Sequence, residues 1–145
     1  MRKSLELNYE LVLPIAGGAR SYWIDYVMGD GATSIVYKAH YYDDGNNFHE
    51  VIIKECYPYS ARITRQEASL VWEDPQEQTD ALEAFQNAHK KLSSIHLQNK
   101  LRNSTSAVME ICSANNTLYS VQHLVAGMTY DKDNTKKLED ILETT

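Results

Sequence analysis

Apolar and polar residues alternate from the start of the chain. Leu5, Leu7, Tyr9, Leu11, Leu13 and Ile15 fall on one parity, with Glu6, Asn8 and Glu10 on the other. A period of two predicts a half-buried strand over 5–15. Ala16-Gly17-Gly18-Ala19 reads as a turn. Strand-forming runs follow at 21–28, 35–42 and 48–56, the last centred on Val51-Ile52-Ile53. Met28-Gly29-Asp30-Gly31-Ala32-Thr33-Ser34 separates the first two, and Asp43-Asp44-Gly45-Asn46-Asn47 the second pair. Both separators are turn-forming, so the runs make an antiparallel meander. Pro58 ends the last of them. Ile63-Thr64-Arg65 and Ser69-Leu70-Val71-Trp72 flank Gln66-Glu67-Ala68 as a small hairpin.

The period then changes. Asp74 is placed to cap a helix, Pro75 suits its first position, and Glu77 stands three residues after the cap. Leu82, Phe85, Ala88, His89, Leu92, Ile95 and His96 recur at helical spacing, which predicts one long amphipathic helix ending near Lys100. Strands are expected over 105–112 and 117–125, around a turn at Ser113-Ala114-Asn115-Asn116. A short helix holding Leu138, Ile141 and Leu142 is expected at the end. Strands, one helix, then a hairpin make an α+β domain: an antiparallel sheet of about five strands with one long packed helix, plus an extra N-terminal strand.

Composition adds little beyond this. The 145 residues are 43% hydrophobic and 23% charged, as expected of one globular domain. A net charge of −6 argues against nucleic acid as partner, because phosphate backbones need a basic surface. No apolar run reaches membrane-spanning length and the N-terminus is no signal peptide, so no membrane partner and a cytoplasmic setting are expected. Cys56 and Cys112 lie in apolar runs and read as buried free thiols. His40, His49, His89, His96 and His123 have no metal-ligand spacing and read as satisfied or half-exposed, so no metal site is expected.

Taken in order, these elements resemble the N-terminal, ATP-binding lobe of a eukaryotic-like Ser/Thr protein kinase of bacterial type. Gly29-Asp30-Gly31-Ala32-Thr33-Ser34-Ile35-Val36 is similar to the kinase glycine-rich loop, and Val51-Ile52-Ile53-Lys54 to the Val-Ala-Ile-Lys strand. Gln122-His123-Leu124-Val125-Ala126-Gly127 resembles the gatekeeper and hinge. The likeness runs from residue 21 to 145. It divides the chain into an extension over 1–20, a lobe-like domain over 21–127 and a post-hinge segment over 128–145.

The resemblance implies ATP with Mg²⁺ as cofactor in the complete protein. It also implies phosphoryl transfer to a protein hydroxyl, with the protein's own C-terminal lobe or a protein substrate as partner. Lys54 would hold the phosphates under a flexible flap of Gly29, Gly31 and Ser34. Met28, Val36 and Ile52 would sandwich adenine, Gln122 would stand as gatekeeper, and the main chain of His123 and Val125 would read the base.

Four departures qualify this picture, the first being Ser34 in place of the third loop glycine. Ile52 replaces the roof alanine, and the helix reads Phe85-Gln86-Asn87-Ala88 where a kinase has Phe-x-x-Glu. Glu83 would point about 200° away from Phe85, so Lys54 would lack its standard partner and could draw an unusual one from 59–73. No His-Arg-Asp or Asp-Phe-Gly run is present, so the chain alone is expected to be inactive and to be a fragment of a longer protein. A pseudokinase-like regulatory or protein-binding module is the alternative, and an unrelated β-rich interaction domain a third. Self-association of the isolated lobe through exposed apolar surface is a further expectation.

Overall fold

The computed structural model describes the backbone of residues 2–103 and 109–123, with the side chains of 2–89 and 110–123. The strands are β1 (Glu10–Ile15), β2 (Gly18–Asp30), β3 (Ser34–Tyr42), β4 (Phe48–Cys56), β5 (Ile63–Gln66) and β6 (Ser69–Trp72). The helix α1 (Pro75–Asn103) precedes β7 (Met109–Ala114) and β8 (Thr117–His123). The hinge-like residues 124–127 and the last short helix lie outside the described residues.

Six strands form one antiparallel sheet in the order β1-β2-β3-β4-β8-β7, and β5 pairs with β6 apart from it. This corrects the expectation of a five-stranded sheet with a separate N-terminal strand. β1 folds back on β2 through a turn in which Gly17 has φ +85°, with Leu11 opposite Tyr22 and Leu13 opposite Arg20. A left-handed residue at that point favours glycine. The sheet then curls until β1 lies beside β7, where the Cys112 thiol donates to the Pro14 carbonyl at 3.4 Å.

The curl has a cause in the sequence. Residues 34 to 39 of β3 and 51 to 56 of β4 are buried on both faces. A sheet with two apolar faces needs a cover on each. One face closes on itself around Leu11, Leu13, Tyr22, Ile24, Ile35, Tyr37, Ile53, Tyr119 and Val121. The other, carrying Val36, Ile52, Lys54 and Cys56, turns toward α1: the Cys56 thiol lies 3.8 Å from the Ala81 carbonyl.

The N-terminal strand is shorter than its alternation predicts. Asn8 adopts φ +65° and Leu7 is exposed, so a turn at 7–8 breaks the period and the ladder begins at Glu10. The β3–β4 and β7–β8 turns use asparagine: Asn46, Asn115 and Asn116 all have positive φ, which asparagine tolerates better than most side chains do, while the β5–β6 turn places Glu67 at φ +57°. The β5–β6 hairpin forms over the predicted residues and docks on the β7–β8 turn. Leu70 N–H donates to Asn115 O at 2.9 Å and the Trp72 indole donates to Asn116 O at 2.9 Å.

Asp74 caps α1 by accepting from Gln76 N–H at 2.9 Å. Glu77 does not complete a capping box; its carboxylate accepts from Arg62 N–H at 3.3 Å. No described helix is long and apolar enough to cross a membrane.

Candidate functional site

The strand register gathers most of the predicted residues on one face. Gly29 lies opposite Val36, Val36 opposite Lys54, and Lys54 opposite Ser120. One step along, Lys38 lies opposite Ile52 and Ile52 opposite Gln122. Directly opposed residues in an antiparallel pair share a face. Val36, Ile52, Lys54 and Gln122 therefore look toward α1. Met28 sits at an irregularity between Val27 and Gly29. Ser34 opens β3 and is buried, while His123 ends β8 opposite Val51 with its ring against Tyr41, on the opposite face. Val125 lies outside the described residues.

The glycine turn is held, not free. Gly31 N–H donates to Ser34 O at 2.9 Å, closing the turn on itself. The chain leaving β4 then ties it down: Tyr57 N–H donates to Thr33 O at 3.0 Å and Tyr59 N–H to Ala32 O at 2.8 Å. Arg2 adds a clamp. Its guanidinium donates to Tyr57 O at 2.8 Å, lies 3.4 Å from the Asp30 carboxylate, and stacks over the Tyr59 ring. Of the predicted flap, the tip is thus built into the fold through two backbone bonds and a cation.

Lys54 is 2% exposed, so it does not snorkel to solvent. It lines a cavity of about 450 Å³ between β4 and α1, with Thr33 of the glycine turn, Cys56, Ser60, Asp80, Phe85 and His89 among the walls. Glu83 is exposed, as its helical position requires. The segment 59–73 does deliver a charged side chain inward, but to a different residue. Arg65 pairs with Glu55 at 2.5 Å, and both side chains are almost wholly buried. Tyr37 and Tyr119 also donate to the Glu55 carboxylate, at 2.8 and 2.5 Å. This cluster fills the closed face of the sheet, away from Lys54. Strand parity could have found it, since Glu55 follows Ile53 on the inward side.

His89 is the residue the sequence reading undervalued. It is 1% exposed and its Nδ1 lies 2.7 Å from the Phe85 carbonyl, while its Nε2 is buried with no hydrogen-bond partner among the described residues. A carbonyl oxygen only accepts, so Nδ1 carries the proton. Burial, above all, pushes the ring pKa down from 6.5 to about 4. The ring is therefore neutral at ordinary pH. The expectation of a satisfied or half-exposed histidine is corrected here. It fits His40 and His49, which meet Asp25 at 2.7 Å and Asp43 at 2.8 Å. Among the described residues no metal-binding cluster occurs, and both cysteines are buried free thiols.

His89 also sets a pH dependence. The unfolded chain takes up a proton near pH 6.5 and the folded one near pH 4, so stability falls as pH drops through that window. The loss is expected to reach roughly 2 kcal/mol at pH 5. Urea unfolding at pH 7 and pH 5 measures it, and His89→Gln should remove that part of the difference.

Whether ATP fits is answered differently at its two ends. Lys54, the Thr33 end of the glycine turn and a cavity of 450 Å³ suit a phosphate. Val36 and Ile52 are 0% and 1% exposed and offer a ring no open face, whereas Met28, the third side chain predicted to sandwich adenine, is half-buried.

No protein-family model matches the chain, and no curated protein matches it. A solved structure described as "PpkA-294 apo form" is similar at 20% identity with a TM-score of 0.48, over 94% of this chain and 44% of that one. The chain spans less than half the length of that protein, and a likeness at this level adds nothing to the geometry above.

Proposed function

We propose that this chain is the phosphate-holding half of a kinase-type nucleotide site, inactive alone and completed by a second lobe. The observation that carries the reading is the direct pairing of Gly29 with Val36 and of Val36 with Lys54. This pairing sets the glycine turn and a buried lysine on one sheet face beside one cavity. Lys54 would neutralise phosphate charge, Gly29, Gly31 and Ser34 would cover it, and the main chain of His123 and Val125 would hold the base. The face over Val36 and Ile52 has to open for the base to enter. Bound ATP with Mg²⁺ would supply the transferable phosphoryl group.

Calorimetry with ATP and Mg²⁺ on the full-length protein tests this. Saturable binding is expected, weakened about tenfold or more by Lys54→Met, a loss of about 1.4 kcal/mol. Circular dichroism on the variant guards against misfolding. Binding that Lys54→Met leaves untouched, or none with nucleotide at about 1 mM, overturns the reading.

The burial of Val36 and Ile52 favours a second reading. Under it the lobe is a pseudokinase-like module that regulates or binds another protein without phosphotransfer. The absence of nucleotide binding in that calorimetry is its expected result.

A further inference from the structure

The glycine turn is fastened by the segment that precedes β1, and that segment has an anchor and a catch. The anchor is Leu5, buried in the main core, with its N–H donating to the Tyr37 hydroxyl at 2.9 Å. Arg65 Nε holds the same segment at Lys3 O, at 2.6 Å. The catch is Arg2. Its guanidinium bridges the two sides of one contact, meeting Ser34 O of the turn at 3.4 Å and Tyr57 O of the chain leaving β4 at 2.8 Å. Tyr57 and Tyr59 N–H donate across that contact to Thr33 O and Ala32 O. Thr33, Pro58 and Ser60 line the Lys54 cavity, so the contact that Arg2 clamps is part of one cavity wall. Anchor and catch are held differently. Leu5 cannot leave without opening the core. Arg2 is held by polar contacts, its partner Asp30 is exposed, and so is the Tyr59 ring beneath it. A space of about 200 Å³ lined by Arg2, Tyr57, Tyr59, Ala61 and Ile63 adjoins it. The guanidinium can swing out while the core stays packed.

We propose that residues 2–5 form a strap that locks the glycine turn against residues 57–59, with Arg2 as its catch. Hydrogen bonds from a charged donor are stronger than neutral ones, so Arg2 is the strongest side-chain tie across this contact among the described residues. When it lets go, two backbone bonds are left to hold the turn, and the turn lifts from 57–59 while the sheet behind it stays folded. Local opening of this kind needs only that few apolar contacts be lost, and Ala32 and Thr33 at the tip are exposed. In its bearing on nucleotide the inference rests on the phosphate-holding reading. Under that reading the strap is autoinhibitory, because a turn tied to 57–59 is not free to reshape over a phosphate.

The experiment follows amide hydrogen exchange of the full-length protein by NMR, without nucleotide. The Tyr57 and Tyr59 amides cross the clamped contact and are the readout. In Arg2→Ala they are expected to exchange at least about tenfold faster, the scale of losing a hydrogen bond from a charged donor, while the Ile53 and Val121 amides of the sheet keep their wild-type rates. Lys3→Ala, which removes an exposed side chain from the same segment, should change neither pair. Unchanged exchange at Tyr57 and Tyr59 in Arg2→Ala, or an equal rise at Ile53 and Val121, overturns the proposal. A wild-type arm needs no variant: in low urea the Tyr57 and Tyr59 amides should share one opening free energy, below that of the sheet, and two separate values would also overturn it. The strap and the nucleotide site fail separately. Faster exchange in Arg2→Ala without ATP binding would sink the nucleotide reading and leave the strap; ATP binding with unchanged exchange would do the reverse.

Discussion

Replacing Arg65 with methionine is expected to destabilise the fold by about 3–5 kcal/mol, the usual cost of stripping one partner from a buried ion pair. At about 2–4 °C per kcal/mol for a domain of this size, that lowers the melting temperature by roughly 10 °C. The reason lies in what stays behind. Glu55 is 0% exposed, and without the guanidinium its carboxylate keeps, among the described residues, the Tyr37 and Tyr119 hydroxyls. Arg65 also donates to the Lys3 and Ala68 carbonyls, both at 2.6 Å, so the N-terminal segment and the β5–β6 hairpin loosen with it. Exchanging both charges at once, Glu55→Gln with Arg65→Met, should recover most of the loss, since no charge is then stranded. Chemical unfolding of the two variants reads the difference. A cost below about 1 kcal/mol for Arg65→Met, the level of an exposed pair, would show that the pair is solvated.

Leu13→Ala should cost about 2–5 kcal/mol, the range for truncating a fully buried leucine. Leu13 is 0% exposed, at the centre of β1. Its weight depends on the closure of the sheet. If β1 were a peripheral strand laid on a five-stranded lobe, trimming it would leave a space water could enter, at small cost. Because β1 instead lies between β2 and β7, the lost methyls leave a cavity inside the main core. Unfolding by urea checks this, with Val12→Ala on the exposed face of the same strand as the comparison. Equal effects at both positions would contradict the closed arrangement.

The strands, the helix and their order were legible because each segment carries its own period: β4 occupies the predicted residues, and α1 starts at its capping aspartate. The closure was not legible. It depends on both faces of β3 and β4 being apolar at once, and an alternation read one strand at a time assigns one face to solvent. The glycine turn was found by its residues, yet its restraint by Tyr57, Tyr59 and Arg2 joins segments up to 55 residues apart, which no local pattern encodes. Lys54 was found through its apolar neighbours. His89 was placed on the correct helix face, but its bare Nε2 follows from the 2.7 Å bond to Phe85, a detail of side-chain geometry. Arg65 and Glu55 escaped notice because a charged residue in a strand reads as exposed until a partner from another element is seen to meet it.

The turn of β1 toward β7 also bears on how copies of this chain meet. Open sheets aggregate through their outer strands, whose unpaired N–H and C=O groups template another chain. In the six-stranded sheet the two outer strands face each other, and Pro14, which has no N–H to offer, occupies the seam on the β1 side. Each outer strand thus hinders recruitment of a foreign strand at the other, which disfavours edge-to-edge growth of this sheet. Side-chain contacts between copies have a defined stoichiometry, whereas strand recruitment is open-ended and leads to fibres.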